Sequence, residues 1–426
     1  MHALLNEPTN LDVLALHEGF ADIVALMQHF TIPEMLLQEI GRTRGNIESE
    51  SMLGSLAVQF GYATGARSAL RNAIGRMENG VWKRFVPDPS EMQKRLTPHA
   101  RGALLVAAVF DAFIMIYNSR IADLLRIYTG GTGVLPPGQI HPDLVRRLAD
   151  EAAKAANHVL NMCIRALDYL TPLDVTFFEY LRALITADYD LVSDDRLRYR
   201  VAFVEAFRRR GIYPGNLDAR TPELRTLSAD TLRWQGLDPF QFPKAMRMEL
   251  MQQYGRVIEG LKRYADECLY QENRELLFTA TRRQRRELHD RLVLAFKAVP
   301  AFAQELGLDP VRNFEVRELR SAMRVSPDGR HVPQVVVALT QSRLVNEDKN
   351  RGTPSYIFRG GTTLVVDLSL SEVKYRIVKN IKSESRQQRT AAFIREVTSD
   401  PLRALFFGQN GLEPFAVLHS LGEERF

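Results

Sequence analysis

Residues 11–30, LDVLALHEGFADIVALMQHF, decide how the first half of the chain is read. Apolar residues recur at three- and four-residue spacing, which predicts an amphipathic helix over 12–30. Asn10 is placed to cap its start. The helix carries two carboxylates, Glu18 and Asp22, four residues apart and therefore on one face. Their neighbours Leu14, Ala15, Phe20, Ile23 and Leu26 are apolar. A carboxylate pair in such a setting is costly unless something positive compensates it. A metal ion with histidine ligands would do so, Glu18 binding the metal and Asp22 holding a ligand histidine in its tautomer. On spacing alone, a pair that faces water is the more economical reading.

The same periodicity predicts helices at 32–43, 51–61, 67–78, 99–129, 142–170, 177–190 and 197–210. Thr31 and Thr176 are candidate caps, Pro33 suits a first turn, and Gly211 stops the last of these helices. Residues 214–240 hold Pro, Gly, Asn and Asp without a clear period and mark a boundary. A second helical stretch, 242–306, contains the basic run TRRQRRELHDR at 281–291, read as a solvated face. From residue 313 the period becomes two. NFEVRELRSAMRV, the turn Ser326-Pro327-Asp328-Gly329 and RHVPQVVVALTQSRLV predict one hairpin; GTTLVVDLSL and EVKYRIVKNI predict another. Lys374, Arg376 and Lys379 read as edge-strand charges that block aggregation. The expected fold class is mainly α with a C-terminal α+β domain. It divides into a helical lobe (1–213), a helical connector (214–310) and a small domain of antiparallel hairpins (311–426).

A chain of 426 residues is expected to hold two or three domains. Its net charge of +5 is thinly spread and gives no argument for nucleic acid as a partner. The two cysteines, Cys163 and Cys268, sit in apolar helical patterns and read as buried thiols, which suits a reducing compartment. Two are too few for a cysteine-based zinc site. The first ten residues lack the features of a signal peptide. GALLVAAVFDAFIMIY, 102–117, is shorter than a bilayer crossing and carries Asp111, so it reads as a buried core helix. No membrane partner and a cytoplasmic location are expected.

The run EPTNLDVLALHEGFADIVAL resembles the third-ligand helix of the thermolysin-like zinc metallopeptidases, the gluzincins. In that family a first helix carries His-Glu-x-x-His, and a second supplies a Glu followed four residues later by an Asp. The resemblance implies that Glu18 is a zinc ligand and Asp22 its supporting carboxylate. His17 stands where the family often has Asn. LTPHARGALLVAAVFDAF, 96–113, resembles the segment whose histidine stabilises the tetrahedral intermediate. His99 falls on that histidine, as a donor to the oxyanion, with Arg101 near enough to assist. The family pattern His-x-Asn-Ser-Gly is His99-Ala100-Arg101-Gly102 here. Outside the resemblance, His99 reads as a helix-start capping group. Thr171-Pro172, Thr176-Phe177 and Gly211-Ile212 resemble the turns of the family's closing helices. The likeness covers roughly the first half of the chain.

None of the nine histidines opens a His-Glu-x-x-His motif. His29 lies about three helical turns beyond Glu18 and is out of reach of a shared ion; His2 has no partner four residues on. Zinc is therefore expected only where an upstream His-Glu-x-x-His segment is supplied, the motif helix falling immediately before residue 1. Two function classes follow. One is a zinc metallopeptidase-like protein acting on peptides, inactive in this chain alone. The other is a non-catalytic degenerate peptidase that binds partners through its C-terminal domain. A homo-oligomer is the expected cover for an apolar face left by the absent lobe, with Leu4, Leu5, Leu14 and Leu16 the suspects.

Overall fold

The computed structural model describes residues 8–48, 75–78, 81–214, 227–348 and 350–400, with Ala404 and Phe407. A helical lobe is built from α1 (Leu11–His29), α2 (Pro33–Thr43), α3 (Pro98–Tyr128), α4 (Pro142–Ala166), α5 (Phe177–Leu191) and α6 (Tyr199–Arg209). Helix α3 is its axis. Residues 102–114 are buried without interruption, because α1, α4 and α6 pack around them. An all-round apolar helix must be enclosed by something, and here the lobe encloses it. By length and composition alone this helix would also suffice to cross a membrane. Asp111, inside the apolar run, pairs with buried Arg210 at 2.8 Å. Phe30, Phe110 and Phe113 cluster beside it.

Helices α1 and α3 cross at glycine. A Cβ on Gly102 would stand 3.0 Å from the Ala15 carbonyl oxygen and 3.1 Å from the Gly19 nitrogen. A Cβ on Gly19 would stand 2.9 Å from the Gly102 carbonyl oxygen. Side chains at either position would hold the two backbones apart.

The C-terminal half contributes β3 (Glu315–Val325), β4 (His331–Val345), β5 (Tyr356–Asp367) and β6 (Glu372–Lys379), following a short hairpin of β1 (Gly75–Glu78) and β2 (Val81–Arg84). The four strands form an antiparallel meander in sequence order. Both predicted hairpins are present, joined into one sheet by β4–β5 pairing. The run VVVAL is buried on both faces, which explains its lack of polar alternation. Val336, Val365, Tyr375 and Ile377 pack on the lobe. Val335, Val337, Leu339, Leu364 and Val373 pack on the helical pair α7 (Lys244–Cys268) and α8 (Arg274–Ala298). A register shift between Val365 and Val366 puts Val373 and Tyr375 on opposite faces despite their even spacing. The connector helices and the sheet thus share one core. The last helix, α9, is Glu384–Ser399.

Several expectations change. Residues 75–78 are a strand rather than a helix end; 51–61 and 67–74 lie outside the described residues. The helix from Pro142 ends at Ala166, and a 3-10 turn follows at Leu167–Tyr169. Thr31 donates to the Gln28 carbonyl at the end of α1 and does not cap α2. Asn10 and Thr176 do cap their helices, the latter in a reciprocal capping box with Glu179. Lys374, Arg376 and Lys379 are not solvent-facing edge charges. Lys374 pairs with Asp190 at 2.7 Å, Arg376 with Glu305, and buried Lys379 with Glu179. The edge they occupy is already covered: Leu237 and Arg376 amides bond to Val373 and Gln235 carbonyls. Leu14 and Leu16 are buried within the chain, Leu14 against Phe393, Val397 and Phe407, so they form no exposed face. Leu4 and Leu5 lie outside the described residues. Both cysteines are buried and free, and burial pushes the Cys163 thiol up to about 12.

Asp174 ties three elements together. Its side chain accepts from Thr9 (3.1 Å) and Asn10 (2.9 Å) at the start of α1 and from Arg386 (3.2 Å) on α9. Its carbonyl accepts from Lys379 on β6. Burial pushes its carboxyl up, but Lys379, Arg386 and the donated hydrogen bonds outweigh burial and hold it below 3.8. The stability it contributes is present above that value and lost as pH falls through the lower folded value. Asp174→Asn should therefore flatten the acid limb of urea-unfolding midpoints measured from neutrality to about pH 2; an unchanged limb would contradict the assignment. Gly102→Ala should destabilise the fold by about 1–3 kcal/mol through overpacking. Exposed Gly255 on α7 has open space for a Cβ, so Gly255→Ala should be neutral or stabilising by up to about 1 kcal/mol. Calorimetry of the pair checks both signs.

Candidate functional site

The glycine crossing sets what lies beside it. Glu18 precedes Gly19 on α1, and His99 stands in the first turn of α3, three residues before Gly102. Thr97 caps that turn by accepting from the Ala100 amide, and Pro98 fits its first position. The two backbones are close enough for the side chains to meet: Glu18 Oε2 is 3.2 Å from His99 Nδ1. Both side chains are mostly covered, 14% and 15% exposed. The contact engages the Nδ1 side of the ring. The capping reading of His99 does not hold, because Thr97 caps the helix.

Arg101 has a different employment. It pairs with Asp12 in the first turn of α1, and its Nη1 donates to the Met92 (2.7 Å) and Arg95 (3.1 Å) carbonyls. Asp12 also accepts from the Phe177 amide at 2.9 Å, which fixes the start of α5. Asp12–Arg101 is thus a clamp on the second side of the α1–α3 crossing. Sequence reading passed over Asp12, although an aspartate on an apolar helix face was the signal. Asp22 lies one turn beyond Glu18 on α1 and is half-buried, as is His17. Burial lowers the His29 imidazole below its usual range, against a smaller pull from Glu39. His2 lies outside the described residues.

A second histidine–carboxylate contact was not anticipated. His158 Nε2 on α4 is 2.7 Å from Asp188 Oδ1 on α5, and Arg200 Nε on α6 donates to Asp188 Oδ2 at 2.7 Å. Asp188 and Arg200 are buried, and Tyr189 lies against the guanidinium. One side chain from each of three helices meets here, so the cluster holds the lobe together.

A zinc centre of the kind the resemblance implies needs three protein ligands. Among the described residues no three His, Cys, Asp or Glu side chains converge in that way. The Glu18–His99 pair does not fit zinc unaided. The chain matches no family model, no curated protein and no solved structure.

Arg101 and Asp12 are 11% and 9% exposed, and the pair also engages the Met92, Arg95 and Phe177 backbones, so its removal should be costly. Glu18→Ala and His99→Ala should show a coupling of about 0.5–1.5 kcal/mol in a double-mutant cycle. Arg101→Ala should cost about 3 kcal/mol or more, because it strands the Asp12 carboxylate. Denaturant unfolding measures both, and equal costs would contradict the division of roles.

Proposed function

We propose that the chain supplies one half of a thermolysin-like zinc peptidase centre, with Glu18 as a metal-facing carboxylate and His99 as the hydrogen-bond donor to the oxyanion. The single observation that supports this reading is the 3.2 Å contact between Glu18 and His99. These are two residues the family likeness singles out, and they come from separate helices. Glu18 orients the ring, and a ring held through Nδ1 presents one nitrogen to a reacting carbonyl oxygen. Asp22 is assigned to support the same side of the centre. Arg101 is assigned to hold the crossing rather than to touch substrate, since its guanidinium is engaged by Asp12 and two carbonyls. The substrate class is a peptide. Zinc would polarise the scissile carbonyl and activate water only with ligands supplied in addition to Glu18.

A second reading, a non-catalytic binding module, is favoured by an arginine-lined groove in the C-terminal half.

Metal analysis separates them. The 426-residue chain should hold no stoichiometric zinc. Mixed with a polypeptide that supplies a His-Glu-x-x-His helix, the chain should bind about one zinc and lose it on Glu18→Gln. No zinc in the mixture, or zinc that is indifferent to Glu18, would contradict the peptidase reading.

A further inference from the structure

The basic run at 281–291 lies on α8 beside the outer strand of the sheet. Its arginines divide by partner. Arg283 pairs with Glu267, and Arg291 with Glu287. Arg285 donates to the Val316 carbonyl at 2.8 Å and so covers part of the β3 edge. Tyr264 covers another part by donating to the Leu319 carbonyl. Arg282 and Arg286 have no acceptor among the described residues, and both are exposed. With His289 they recur at four and three residues and share one face of α8.

That face forms the wall of a groove of about 560 Å³, closed on its other side by Phe314, Glu315 and Val316. A second concavity of about 240 Å³ continues past Phe314 and Glu315 toward Arg317 and Arg359, over a polar floor of Thr340, Gln341 and Ser342. Together the two are lined by five arginines and two carboxylates, Asp290 and Glu315. Asp290 is engaged with His289, and Glu315 with Arg317.

We infer that this groove binds an extended acidic peptide segment. Arg282 and Arg286 are one helical turn apart, about 6 Å along the axis. Alternate side chains of an extended chain are about 6.6 Å apart. Acidic residues at alternate positions would therefore meet successive guanidiniums, each in a geometry suited to a carboxylate. Nucleic acid fits less well. Binding of single strands relies on exposed aromatic faces. The one lining phenyl ring, Phe314, is 7% exposed and packed between His289 and Phe296. The groove is separate from the Glu18–His99 pair, so the two readings can fail independently.

Fluorescence anisotropy with the full chain and a labelled oligoglutamate tests the inference. Binding should weaken as salt rises. Arg282→Glu combined with Arg286→Glu should weaken it about tenfold or more. Arg146→Glu with Arg147→Glu, the same charge change on exposed positions of α4, should leave it within about twofold. Arg282→Gln with Arg286→Gln should give an intermediate loss, and circular dichroism should show each variant folded. Absent binding, an equal loss in the α4 variant, or tighter binding of an oligothymidylate than of the oligoglutamate would each overturn the proposal.

Discussion

Glycine faces glycine where α1 crosses α3, and the backbones approach until a methyl group at either position would collide with a peptide oxygen. Close approach has a cost in conformational freedom, since glycine is the least favourable ordinary residue inside a helix. The crossing is offset by a clamp on each side. Asp12 and Arg101 join the two helices at one end, and Asp12 extends the clamp to the start of α5. Glu18 and His99 join them beside the glycines. Both contacts bridge the two helices at this close crossing.

The sheet depends on the lobe as much as α1 depends on α3. A strand buried on both faces needs two covering layers. The lobe supplies one, and α7 with α8 supplies the other. Polar groups fix the alignment at the seam. Asp190 accepts from Tyr169 at 2.5 Å and from Tyr375 at 2.8 Å, and pairs with Lys374 at 2.7 Å. Thr363 donates to the Leu170 carbonyl and Thr171 to the Ile377 carbonyl. Asp174 closes the seam by holding α1, β6 and α9 together. A buried charge with this many partners tolerates burial, whereas one with a partner removed does not.

Local signals were enough for the elements and too little for their assembly. The helices of the lobe follow from apolar spacing, and two of their starts follow from Asn10 and Thr176. The turn at Ser326–Gly329 and the period-two runs mark the strands. Sequence reading did not pair β4 with β5, because the longer connection from Val345 to Tyr356 carries no tight-turn signal. It misjudged Lys374, Arg376 and Lys379, because a charge on a strand reads alike whether it faces water or a carboxylate from another element. Glu18 and His99 could be singled out one by one through a family likeness. Their contact lies beside Gly19 and Gly102, which an isolated sequence presents as two unremarked glycines in helices.

Chemically, the crossing offers a histidine ring whose Nδ1 is held by a carboxylate. The nitrogen that holds the proton is therefore the property on which the proposed chemistry rests. Long-range proton–nitrogen correlation spectra of the His99 ring measure it directly. A neutral ring should show the proton on Nδ1, and Glu18→Gln should shift that population toward the Nε2 form. A ring that carries its proton on Nε2, unaffected by the substitution, would contradict the account.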